Sequence, residues 1–108
     1  MSSRVSFVFV LVASLSVLAS TSRAQDLGPQ FRKIKDGIYV QSAREFNSNA
    51  GIIVTSEGVV LVDSGHNPTD SRAVMEAVKK LTPLPVRFLI DTEVHGDHTT
   101  GHYVFSPP

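Results

Sequence analysis

The order strand, helix, strand between residues 59 and 91 constrains this chain more than any other feature. Val59-Val60-Leu61-Val62 is a continuous apolar run and reads as a strand buried on both faces. Residues 63–67, Asp-Ser-Gly-His-Asn, follow as a loop. Ala73, Val74, Ala77, Val78 and Leu81 then recur at helical spacing, with Arg72, Glu76, Lys79 and Lys80 on the other side. Asn67 can cap this helix with Pro68 at its first position, or Thr69 can cap it slightly later. Lys79 and Lys80 suit the helix dipole, and Thr82-Pro83-Leu84-Pro85 ends the helix. Val86-Arg87-Phe88-Leu89-Ile90 reads as a second buried strand. Such a unit closes as a right-handed parallel crossover, so the loops after both strands meet at one edge of the sheet.

Upstream, residues 31–41 read as a β-hairpin turning at Lys35-Asp36-Gly37. Residues 42–49 are polar, with Phe46 as the one large hydrophobe, and read as a loop. Ala50-Gly51-Ile52-Ile53-Val54 is a further strand, joined to Val59 through the turn Ser56-Glu57-Gly58. Antiparallel strands followed by a crossover predict a mixed sheet with helix cover, an α+β arrangement.

Composition removes several function classes. The 108 residues carry 10 basic and 10 acidic side chains, which argues against a nucleic-acid surface or a polybasic membrane patch. With no cysteine, any metal must be held by nitrogen and oxygen, which excludes zinc-finger and iron–sulfur sites. Residues 1–24 read as a signal peptide. Arg4 supplies the positive start, Val5 to Ala19 is the apolar stretch, and Ser22-Arg23-Ala24 offers small residues at the cleavage positions. The apolar stretch falls short of the roughly 20 residues a membrane-spanning helix needs. An uncleaved anchor is the other reading. Either predicts export to the periplasm or the medium, with no stable membrane association once the signal is cleaved. The chain stops just after its chemically richest region, so residues 25–108 are expected to be part of a longer protein.

That region is Glu93-Val94-His95-Gly96-Asp97-His98, two imidazoles and two carboxylates on the loop after a strand. Gly96 allows a sharp backbone turn. Neutral imidazole and ionised carboxylate are both available near neutral pH, so the set suits zinc, iron or manganese. Asp63 comes to the same edge, either as a site residue or as a cap for nearby amides. His66 reads as a loop residue rather than a ligand. His102 reads as an ordinary helix-start residue rather than a support for the site.

Gly51 through Gly101 resembles the first half of the metallo-β-lactamase fold superfamily. The match rests on the strands Ile52-Ile53-Val54 and Val59-Val60-Leu61-Val62, on Asp63 with Gly65, on the helix, on Asp91-Thr92, and on His95-Gly96-Asp97-His98 with Thr99 and Gly101. The family pattern is His-x-His-x-Asp-His. The resemblance implies an αββα sandwich, of which residues 25–108 are the amino-terminal part. It also implies a hydrolase holding one or two zinc ions, whose metal-bound hydroxide attacks an ester, amide, thioester or related bond of a small-molecule substrate. By position, His95 belongs to the first metal site and Asp97 and His98 to the second, with Asp97 also the catalytic side chain. Asp63 supports the motif loop through hydrogen bonds. Glu93 stands where the family has its first His. It can still bind metal through oxygen, and it tilts the site toward iron or manganese. The exchange leaves two alternatives open: a non-catalytic secreted metal-binding protein, or an iron-binding redox relative of the same fold. The family's later ligands lie beyond position 108, so the chain alone is expected to be poorly active and to expose apolar surface.

Overall fold

Five strands and a long helix carry the described residues of the computed structural model, 25–42 and 48–105. The expected signal peptide, residues 1–24, and Phe46 lie outside them. The elements are β1 (Phe31–Lys35), β2 (Ile38–Ser42), β3 (Asn49–Thr55), β4 (Gly58–Val62), α1 (Pro68–Leu81), β5 (Val86–Ile90), α2 (Gly96–Thr99) and α3 (His102–Phe105). The strands lie in the order β1-β2-β3-β4-β5. The first three pairings are antiparallel and β4–β5 is parallel, the mixed sheet the sequence predicts. The first hairpin turns at Asp36 and Gly37, where Gly37 takes a φ of 75° that a side chain would resist.

One face of the sheet is packed. Ala50, Ile52, Val59 and Leu61 meet Val74, Ala77 and Val78 of α1, and all seven are buried. The helix begins as the first capping alternative has it. Asn67 has extended backbone, and its Oδ1 accepts from the backbone N–H of Thr69 and of Asp70, each at 2.9 Å. Its Nδ2 donates back to Asp70 Oδ2 at 2.9 Å, which turns the buried Asp70 carboxylate toward the positive end of the helix. Pro68 occupies the first turn, where its missing N–H costs nothing.

Two burial expectations need correction. In β4, Val59 and Leu61 are fully buried but Val60 and Val62 only half so. In β5, Phe88 is 63% exposed and Ile90 52%. The cause is position: β5 is an edge strand, and α1 covers one face only. Between Val59 and Val60 the β4–β5 register slips, with Val59 opposite Val86 and Val60 opposite Phe88. This bulge lets Val86 and Leu89, three residues apart, both pack against the core. Phe88 and Ile90 are left on the face away from the helix, opposite Val60 and Val62. Among the described residues no helix is long and apolar enough to cross a membrane.

The cap carries a measurable share of helix stability. Asn67→Ala is expected to lower unfolding stability by about 1 kcal/mol, read by denaturant titration, while Asn67→Asp stays close to wild type.

Candidate metal centre

The parallel crossover brings the segment after β4 and the segment after β5 side by side. The Asp63 N–H donates to the Ile90 carbonyl at 2.8 Å, extending the ladder one step past the strands. Asp63 then leaves the strand with a φ of 60°, the one positive φ outside glycine among the described residues. Asp tolerates this left-handed conformation better than most residues, though at some cost. The turn points its buried carboxylate at the neighbouring loop. Oδ1 accepts from the Thr92 N–H at 2.8 Å, and the Thr92 hydroxyl lies 2.8 Å from Oδ2 and 3.0 Å from Oδ1. His98 Nδ1 sits 2.9 Å from Oδ2.

These contacts decide the protonation of both partners. Burial pushes the Asp63 carboxyl upward, but the Thr92 N–H, His98 and the Thr92 hydroxyl outweigh it and hold the group below the ordinary carboxylate value. His98 is raised, chiefly by its hydrogen bond to Asp63 and against the opposing effect of desolvation. Because an ionised carboxylate only accepts, Nδ1 carries a hydrogen toward Asp63, which leaves Nε2 as the nitrogen turned to the rest of the loop.

That Nε2 faces the other carboxylates. Glu93 Oε1 lies 2.9 Å from it and Asp97 Oδ2 3.4 Å. The other oxygen of Glu93 pairs with Nδ1 of His95, which raises the His95 pKa. His95 caps α2 with extended backbone, and its carbonyl accepts from His98 N at 3.0 Å. The single turn that follows places Asp97 and His98 at successive positions of α2. The structure therefore brings Glu93, Asp97 and His98 together, while His95, largely exposed, joins through Glu93 alone. Among the described residues no three such donors are arranged as a ready-made cage for an ion. Imidazoles and carboxylates pair with one another instead. The donor chemistry nevertheless fits a divalent ion: all atoms are nitrogen or oxygen, and His98 is already oriented through its far nitrogen.

His66 lies half-buried in the loop between β4 and α1. His102 begins α3, and its Nε2 pairs with Asp91 Oδ1 at 2.8 Å, at the same edge of the sheet. Residue-by-residue reading missed the parts played by Thr92, Ser64 and Gly101. Ser64 N–H and Oγ each donate to the His98 carbonyl at 2.8 Å, across 34 positions of sequence. Serine is common in loops, and nothing local to it announces such a contact.

The Asp63 contacts set an acid-side signature. A carboxylate with a depressed folded pKa adds stability that is fully present above its unfolded value of 3.8 and lost as pH falls through the folded value. Asp63→Asn is expected to cost about 2 kcal/mol at neutral pH. It should also flatten the acid limb of a stability–pH profile recorded by urea unfolding of the metal-free protein.

Comparison with known proteins bears on the fold that carries these residues. A family model, the metallo-beta-lactamase superfamily, matches residues 43–107. A linear primary-alkylsulfatase from Pseudomonas sp. (strain ATCC 19151) is 32% identical over 54 residues, half of this chain but only 10% of that protein. Among solved structures, a metallo-beta-lactamase from Cronobacter sakazakii, a mutant of its HARLDQ motif, superposes with a TM-score of 0.58. It shares 19% identity over 73% of this chain and 32% of its own length, a likeness of fold. The chain thus spans a minor part of each of these proteins. Since the family model covers more than half of the chain, and the mixed sheet with its helices matches a solved member, this chain belongs to the metallo-beta-lactamase superfamily.

Proposed function

We propose that this protein is a metal-dependent hydrolase acting on an ester, thioester, amide or related bond of a small-molecule substrate. The observation that carries the reading is the two-sided placement of His98, with Nδ1 given to Asp63 and Nε2 turned toward Glu93 and Asp97. Glu93, His95, Asp97 and His98 would hold the ion, zinc in the first instance, with iron or manganese favoured by the two carboxylates. When bound, the ion supplies Lewis acidity, which acidifies water and stabilises developing negative charge. The chain's own residues do the rest. Asp63 keeps the His98 hydrogen on Nδ1 and so leaves Nε2 as the ligand atom. Asp97 orients the attacking water and receives its proton at a carboxylate oxygen. Thr92 holds the Asp63 carboxylate in place through two donors.

A sulfate ester of a linear alcohol is the first substrate to test. The support is the alkylsulfatase similarity, which falls on half of this chain. Thioesters, lactones and β-lactams complete the panel. We further propose that residues 1–24 direct export to the periplasm or the medium. Amino-terminal sequencing of the mature protein is expected to begin at Gln25.

The decisive experiment measures metal content by elemental analysis and hydrolysis of that panel in the full-length protein. The wild type is expected to carry zinc, iron or manganese and to turn over at least one ester. His98→Ala should reduce metal affinity beyond the roughly 10–100-fold typical of losing a supporting residue. Pairing of Glu93 with both histidines favours a second reading, in which the protein binds metal without turnover. Metal uptake with no hydrolysis in wild type, together with hydrolysis in Glu93→His, would establish that reading and remove the first.

A further inference from the structure

The metal-ligand candidates are not the only groups that converge on the short turn after β5. Ser64, fully buried, touches that turn at three points. Its N–H and its Oγ both donate to the His98 carbonyl, each at 2.8 Å. Its Oγ in turn accepts the Gly101 N–H at 3.0 Å. One hydroxyl therefore spans the end of α2 and the residue before α3. Behind it, the Ser71 hydroxyl of α1 lies 2.6 Å from the Ser64 carbonyl and 2.9 Å from that of Asn67, tying Ser64 to the first turn of the long helix. Gly101 closes the assembly. A Cβ there would overlap the Ser64 carbonyl oxygen and the Ser71 hydroxyl, so only glycine lets the turn approach this closely.

The arrangement divides the work on His98 between consecutive residues. Asp63 holds the ring through Nδ1, and Ser64 holds the main chain through the carbonyl. Fixing only the ring would leave the short turn free to rotate about it. Fixing both ends defines where Nε2 points. α2 has only four residues and no side-chain cap, so it has little rigidity of its own.

We propose that Ser64, backed by Ser71 and Gly101, is a positioning residue for His98: its hydroxyl locks the His98 main chain to the end of β4 and so sets the direction of Nε2. The inference rests on the metal-centre reading above. It also makes a claim about the metal-free imidazole that stands apart from it.

The test uses the full-length protein with Ser64→Ala and, as a destabilised control, Val74→Ala in the core face of α1. Zinc affinity is measured by competition with a chelator and Tm by thermal unfolding. The order of the turn is read by amide hydrogen exchange of Gly101, whose N–H ends on the Ser64 hydroxyl, and by the hydrogen-bonded Nδ1–H resonance of His98 in the metal-free protein. Ser64→Ala is expected to weaken zinc binding about tenfold or more. It should also speed Gly101 exchange and broaden or shift the His98 Nδ1–H resonance as the ring loses its single orientation. Val74→Ala should lower Tm yet leave affinity and the Nδ1–H resonance as in wild type. The proposal is overturned if Ser64→Ala binds zinc like wild type, or if its loss of affinity is matched by Val74→Ala. Should the wild type take up no zinc at all, the metal reading falls and the resonance still decides. A broadened or shifted Nδ1–H in Ser64→Ala upholds the positioning role, and an unchanged one removes it.

Discussion

A single buried carboxylate joins the two halves of the strand–helix–strand unit. Asp63 stands where β4 ends, and its oxygens take hydrogen bonds from the backbone and side chain of Thr92 and from the ring of His98. Without those donors a carboxylate this buried would be costly to keep ionised. With them it is held ionised, and the loop after β5 gains a fixed anchor on the neighbouring strand. The left-handed backbone of Asp63 is the local cost of aiming it. Ser64 extends the same anchor to the main chain of the next turn.

Around this anchor the charges of the motif loop neutralise one another. His98 faces two carboxylates and backs onto a third, while Glu93 divides its two oxygens between His95 and His98. Such mutual pairing is what a set of metal ligands does when protons occupy the place of an ion, since carboxylates gathered around one imidazole need positive charge between them. The glutamate at position 93 deepens the effect. An imidazole there would add another neutral nitrogen, whereas the carboxylate adds negative charge and competes with an ion for both histidines.

The sheet explains why the site sits at a rim. α1 closes one face with an apolar stripe spaced for it, and the opposite face carries Val60, Val62, Phe88 and Ile90 with the last two well exposed. The loops bearing the candidate ligands leave from the carboxyl edge between these faces, where rigid strands end and backbone can turn. This is the position at which α/β sheets generally carry their chemistry.

Much of this was legible in the sequence because it is local. The apolar run at Val59–Leu61, the helical spacing of Val74, Ala77 and Val78, the Asn67-Pro68 start and the Asp36-Gly37 turn each depend on neighbours within one or two turns of chain. The donor set from Glu93 to His98 was visible for the same reason, as was the approach of Asp63, which follows from the handedness of the crossover. Tertiary structure alone decided what depends on residues far apart. The exposure of Phe88 and Ile90 follows from β5 lying at the edge with one face covered, and from a bulge at Arg87 that no periodicity announces. The pairing of His95 with Glu93, the grip of Ser64 on His98 and the need for glycine at 101 arise only when segments more than thirty positions apart meet, or when side chains choose partners in space. Sequence determines which groups are available and how each segment turns. The meeting of the segments determines which of those groups touch, because a hydrogen bond depends on position and direction that no single segment carries.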